Sequence, residues 1–178
     1  MNEDTLSMVR NIPAISLESI SDIVAELYGI KGRFSQLNSE RDLCYRIETE
    51  KGDSFVLKVS NVDEPEGVVD FQVKALKHIF MMDPELPVPR IVPTLQHRSY
   101  ERIESEGGTP HIIRLLTFLQ GNVLEDVYGV LENKEGIREN LGAFTARLGL
   151  ALRNFFILLP VVMFTCGIWE VLLSYVAI

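Results

Sequence analysis

The sequence predicts an α+β protein: an antiparallel sheet of about five strands with one packed helix, then further helices ending in a hydrophobic one. Three observations carry this. Residues 43–61 read as two apolar, β-branched strands joined by Glu50-Lys51-Gly52-Asp53, a turn in which glycine can supply positive φ. Val69, Val73, Leu76 and Phe80 recur at four, three and four, the period of a helix with one buried face. His111-Ile112-Ile113-Arg114-Leu115-Leu116-Thr117-Phe118-Leu119 is a nearly unbroken apolar run, stopped by Gln120-Gly121, and reads as a buried strand.

The remaining elements follow in order. Residues 1–15 show no periodicity and form a mobile lead-in. A helix begins at Ser16 or Ser19. Either can cap it, and Asp22 stands three residues after Ser19 as in a capping box. Leu17, Ile20, Val24 and Leu27 make its apolar stripe, and Gly29 terminates it. Residues 30–37 read as a first strand and 38–42 as a polar turn, so that three strands form a meander. The prolines of Asp83-Pro84-Glu85-Leu86-Pro87-Val88-Pro89-Arg90-Ile91-Val92-Pro93 forbid helix and enforce an extended segment packed on the sheet. Residues 94–100 read as another strand and 105–109 as a loop. Gly107-Gly108 is no phosphate loop, since no Lys-Ser/Thr follows and no helix opens from it.

The last third is helical. Ile137, Leu141, Phe144, Leu148, Leu152 and Phe155 form an amphipathic stripe that, within this chain, has little to bury against. The stretch from Phe155 to Ile178 holds 24 residues (178 − 155 + 1) with one charge, Glu170, and one proline, Pro160. That length suffices to cross a bilayer, and Arg147 and Arg153 on its N-terminal side favour an anchor with the main domain in the cytosol. An altered reading frame after a truncation explains the same stretch equally well. Four segments result: 1–15, 16–121, 122–156 and 157–178.

Composition excludes some classes. A net charge of −8 and no Lys/Arg cluster argue against a nucleic-acid groove. Cys44 and Cys166 offer neither metal-ligand spacing nor a disulfide framework. The acidic start, Met1-Asn2-Glu3-Asp4, is unlike a signal peptide, so a cytoplasmic location is the default.

Lys58, alone in the strand Ser54-Phe55-Val56-Leu57-Lys58-Val59-Ser60-Asn61, is the residue that asks for a function. An ammonium is costly to desolvate without a partner. It either lies beneath the phosphates of a nucleotide or faces water on an edge strand. The order of elements after it favours the phosphates.

That order, and five short stretches, resemble the aminoglycoside phosphotransferase and choline kinase superfamily, with its protein-kinase-like fold, and within it the hydroxylysine kinase branch. The stretches are Phe55-Val56-Leu57-Lys58-Val59-Ser60-Asn61, Asp70-Phe71-Gln72, Leu86-Pro87-Val88-Pro89-Arg90, Ile113-Arg114-Leu115-Leu116-Thr117-Phe118-Leu119-Gln120-Gly121 and Leu141-Gly142-Ala143-Phe144-Thr145-Ala146-Arg147-Leu148. The resemblance implies an ATP- or GTP-dependent kinase, working with Mg²⁺, that phosphorylates a hydroxyl of an amino-acid- or amino-alcohol-like small molecule. It implies that 16–121 is the nucleotide-binding lobe and 122–156 the first helices of a second lobe. Lys58 would hold the α/β-phosphates and Gln72 would stand where kinases place the orienting Glu. Leu116, Thr117, Phe118 and Leu119 would form the hinge at the base, with the 38–42 turn over the phosphates.

The catalytic groups of such an enzyme are missing. None of His78, His97 and His111 is followed by Asp two residues on, and no metal-binding Asp-Phe-Gly occurs. Asp70-Phe71-Gln72 imitates it but sits in a helix. No catalytic or metal residue is therefore assigned. The expectation is a truncated small-molecule kinase, inactive alone, binding nucleotide at millimolar strength or worse, about 4 kcal/mol or less. The alternatives are a membrane-tethered, non-enzymatic interaction module and a fragment completed by a protein partner on the 137–155 stripe.

Overall fold

The computed structural model describes residues 12–122 and 134–155, and the chain divides into two compact units. The first holds residues up to Val69 together with Ile91–Phe118; the second holds Asp70–Arg90 and the residues from Leu119 onward.

The first unit opens with helix α1, Leu17–Tyr28. Ser16 is its cap: the Ser16 Oγ accepts from the Ser19 amide at 3.2 Å, so Ser19 is inside the helix. Gly29 ends α1 in the left-handed region, φ 68°, and its amide donates to Ala25 O. The strands are β1 (Arg33–Leu37), β2 (Leu43–Glu48), β3 (Ser54–Val59), β4 (Ile91–Val92), β5 (Glu101–Glu104) and β6 (Pro110–Thr117). All pairings are antiparallel, in the order β1-β2-β3-β6-β4, with β5 also on β6. The predicted meander and its turn are present, and Gly52 adopts φ 89°. Ile20, Val24 and Tyr28 of α1 join Leu43, Tyr45, Ile47, Leu57, Val59, Ile113 and Leu115 in one core. The packed helix is thus α1, lying on the odd-numbered face of the strands.

One predicted strand is absent. Residues 94–100 form a turn in which His97 adopts φ 62° and its amide donates to Thr94 O at 2.8 Å. A left-handed residue cannot continue a pleated ladder. The pairing falls instead on Glu101–Glu104, whose charged composition hid it. Residues 105–109 are the tight connection between β5 and β6, closed by the Ser105 amide on Thr109 O at 2.8 Å.

Helix α2, Glu66–Met82, starts in the first unit and continues in the second. Val69, Val73 and Leu76 are buried as predicted. Phe80 is not: it is 54 % exposed, and Ile79 takes the inward place at 1 %. A 3.6-residue period puts 79 on the stripe as readily as 80, and Phe80 instead lies under the Arg90 guanidinium at 4.8 Å.

In the second unit, helix α3 spans Lys134–Ala151. Its predicted stripe is covered only in part, and Leu141 is 36 % exposed. Ile137 and Leu148 are buried, and the Phe155 ring lies 5.6 Å from Phe71 and 5.0 Å from His78. Arg147 clamps Asp83 through two contacts of 2.9 and 2.8 Å. Of the 1–15 stretch expected to be a mobile lead-in, residues 1–11 lie outside the described residues, whereas Ile15 is buried in the core of the first unit. The hydrophobic 157–178 tail also lies outside the described residues. Among those described, no helix is long and apolar enough to cross a membrane.

Candidate nucleotide-binding site

Alternation along the strands decides what the second face of the first unit's sheet carries. With Tyr45, Ile47, Leu57, Val59, Ile113 and Leu115 turned to α1, their neighbours project the other way. The register lines up Cys44, Lys58 and Arg114 in one row across β2, β3 and β6, and Arg46, Val56 and Leu116 in the next. Lys58 is therefore central in the sheet rather than on an edge strand.

Its ammonium is not in bulk water. The side chain is 14 % exposed, and Nζ lies 3.3 Å from Asp42 Oδ2, on a carboxylate itself 17 % exposed. Asp42 is fixed in turn: its Oδ1 accepts the Asn61 amide at 3.2 Å, and its own amide donates to Ser39 Oγ at 3.2 Å. Beside Lys58, Arg114 is 3 % exposed. Burial pushes its pKa down from the ordinary arginine value, opposed by the nearby Asp42 and Glu64 carboxylates. The same burial pushes Glu64 up; Asp42 adds to the rise, while Arg41, Arg114 and Lys58 counter it. Burial also raises the Cys44 thiol, with Lys58 opposing, so Cys44 is a poor nucleophile here. Two cations and two carboxylates thus share one shielded patch. Buried His111 places Nδ1 3.0 Å from Ser60 O and ties β6 to the end of β3.

Farther along the same face lies Phe118. Its amide donates to Ser54 O at 3.1 Å, extending the ladder beyond Thr117. The Arg46 guanidinium sits over its ring at 4.1 Å. Glu48 binds Arg46 and Arg33 with one oxygen each, both at 2.8 Å, and the Arg33 hydrogen bond, then the Arg46 charge, hold its carboxyl below the usual range.

Of the six residues expected at the site, Lys58, Leu116, Thr117 and Phe118 lie in the first unit, and Leu116 stands one register row from Lys58. Leu116 is 1 % exposed and Thr117 pairs with Phe55 in the ladder. Gln72, buried in α2, and Leu119 belong to the second unit. Asp42, Glu64, Arg46 and Arg114 were not singled out by the sequence. Arg114 could have been: a cation inside an apolar strand raises the same question as Lys58. The 38–42 turn was expected beside Lys58, but no periodicity marks Asp42 as the residue of that turn that meets it. A hollow of about 940 Å³ along Gly29–Arg33 and Glu48–Lys51 contains none of the six. Among the described residues, no group of three or more His, Cys, Asp or Glu is placed to hold a metal.

A kinase-like fold is what this sheet and helix arrangement defines. No protein-family profile matches the chain. It is similar to hydroxylysine kinase of Danio rerio, 29 % identical over 126 residues, covering 68 % of this chain and 36 % of that protein. Among solved structures it is similar to amicoumacin kinase hAmiN in complex with AMP-PNP, Ca²⁺ and Ami: TM-score 0.67, 17 % identity, 90 % of this chain and 45 % of that one. It is also similar to a microcompartment-associated aminopropanol kinase, with TM-score 0.50, 17 % identity, and 58 % and 32 % of the two chains. The chain spans roughly a third to under a half of the length of these relatives.

Proposed function

We propose that the described residues form the nucleotide-binding part of a small-molecule kinase, with Lys58 as the phosphate ligand. The observation carrying this is a shielded lysine in the middle strand of the sheet, next to a buried Arg114, on the face turned away from the α1 core. A cation held in low dielectric but not neutralised irreversibly suits a polyanion that arrives with its own divalent metal. The likeness to two kinases of known structure, one determined with AMP-PNP and Ca²⁺, supports the same reading. The backbone around Phe118 would meet the base. ATP or GTP is the donor. The acceptor is a hydroxyl on an amino-acid- or amino-alcohol-like molecule, by similarity to hydroxylysine kinase.

We further propose that these 178 residues alone transfer no phosphate, because no histidine is followed two residues later by the aspartate that would accept the proton. Titration of the full chain with Mg-ATP, followed by NMR, should shift signals at Lys58 and Phe118 at millimolar ligand, and Lys58→Met should remove the shifts. Unchanged spectra at saturating nucleotide would refute the reading. Phosphorylation of a small alcohol by the isolated chain would refute the claim of inactivity.

A further inference from the structure

The carboxylate of Asp42 has the contacts that a bound phosphoryl group would make. Its two oxygens meet two different donors: Oδ2 lies 3.3 Å from Lys58 Nζ, and Oδ1 accepts the Asn61 amide at 3.2 Å. A phosphoryl group likewise offers several anionic oxygens on one centre to an ammonium and a backbone N–H. The Lys58 contact is longer than the ~2.8 Å of a strong charge-assisted bond, so a better-placed oxygen can take it over. Lys58 is fixed in the middle of the sheet, between β2 and β6. Asp42 stands in the turn between β1 and β2, where Asn38, Ser39 and Glu40 are exposed. Movement of the pair therefore falls to the turn. Both side chains still reach solvent, at 14 % and 17 % exposure, so an anion can approach them.

Charge balance favours exchange over simple opening. Lys58 and buried Arg114 face Asp42 and Glu64, two charges of each sign. Withdrawing Asp42 alone leaves a shielded excess of positive charge, which is costly, whereas an arriving phosphate restores the balance. We propose that Asp42 is an internal competitor for the phosphate seat: a polyphosphate binds by displacing its carboxylate from Lys58 Nζ and the Asn61 N–H, swinging the 38–42 turn outward. The competition lowers apparent affinity by the fraction of molecules in which the turn has opened. The inference rests on the nucleotide reading above and adds how that site is held shut while empty.

The experiment measures tripolyphosphate and Mg-ATP binding by calorimetry on the full chain. Asp42→Asn keeps the shape of the side chain and an acceptor for the Asn61 amide while removing the charge, and should tighten both ligands about fivefold or more. Asp63→Asn removes an equal charge from an exposed residue of the neighbouring connection and should change either less than about twofold. With Lys58→Met in the background, Asp42→Asn should bring no gain. Should Asp42→Asn fail to fold, Ser39→Ala, which removes the acceptor of the Asp42 amide, should give a smaller gain in the same direction. Wild-type binding with Asp42→Asn equal or weaker, or with Asp63→Asn tightening as much, would overturn the inference and leave the nucleotide reading standing. Binding by Asp42→Asn where the wild type binds neither ligand would support both. Failure of wild type and Asp42→Asn alike to bind either ligand would overturn both.

Discussion

The two faces of the first unit's sheet are made by the same strands and do opposite work. Toward α1, Ile47, Leu57, Val59, Ile113 and Leu115 are fully buried and wholly apolar. On the other face Cys44, Arg46, Lys58 and Arg114 stand beside the buried Val56 and Leu116, and its charges are held by Asp42, Glu48 and Glu64 rather than by packing alone. One face is stable because nothing on it needs water. The other keeps charges shielded yet matched, which is a condition for handling a charged ligand and a cost to folding. The apolar core and the charged row are thereby separated by one residue of register.

Three substitutions sharpen or break that comparison. The largest effect belongs to the apolar face: Leu57→Ala, at a side chain with no exposure, should cost about 3 kcal/mol in urea unfolding. A cost under about 1 kcal/mol would mean that the α1 face is not the stabilising one. Next, Asp42→Asn leaves Lys58 and Arg114 with less opposing charge and should cost about 2 kcal/mol, since the pair is largely shielded. Asp42→Asn combined with Lys58→Met should cost less than the two singles added together. Simple additivity would show that the contact carries no coupling.

The smallest effect concerns pH. Burial raises the folded-state pKa of Glu64 above its ordinary value. Below the unfolded value, both states carry the proton and no penalty exists. As pH rises through the folded-state value, the buried carboxylate ionises and folding is penalised. Glu64→Gln should therefore stabilise the protein by a few tenths of a kcal/mol at pH 7, Glu64 being only partly buried, and by nothing near pH 3. A destabilised Glu64→Gln at neutral pH would show that attraction to Arg114 and Lys58 outweighs burial.

The two faces also differ in how far they could be read in advance. The α1 face follows from period-two and period-3.6 patterns, and the helix, the meander and β6 lie close to where those patterns place them. The 94–100 strand failed because a single left-handed residue, His97, overrides a favourable composition. On the polar face Lys58 was legible, being a charge in an apolar strand. Its partner was not, because Asp42 reaches it from a turn through a pairing between strands.

By itself, the sequence determined which residues are apolar at which spacing, and hence the sheet, its packed helix and the presence of a lysine in need of a partner. Only the tertiary structure decided that Lys58 is central rather than peripheral, that Asp42 holds it, that Arg114 stands beside it and that Arg46 covers Phe118. Spacing along a chain encodes which face a side chain takes, but cross-strand neighbours are set by register, which brings together residues far apart in sequence.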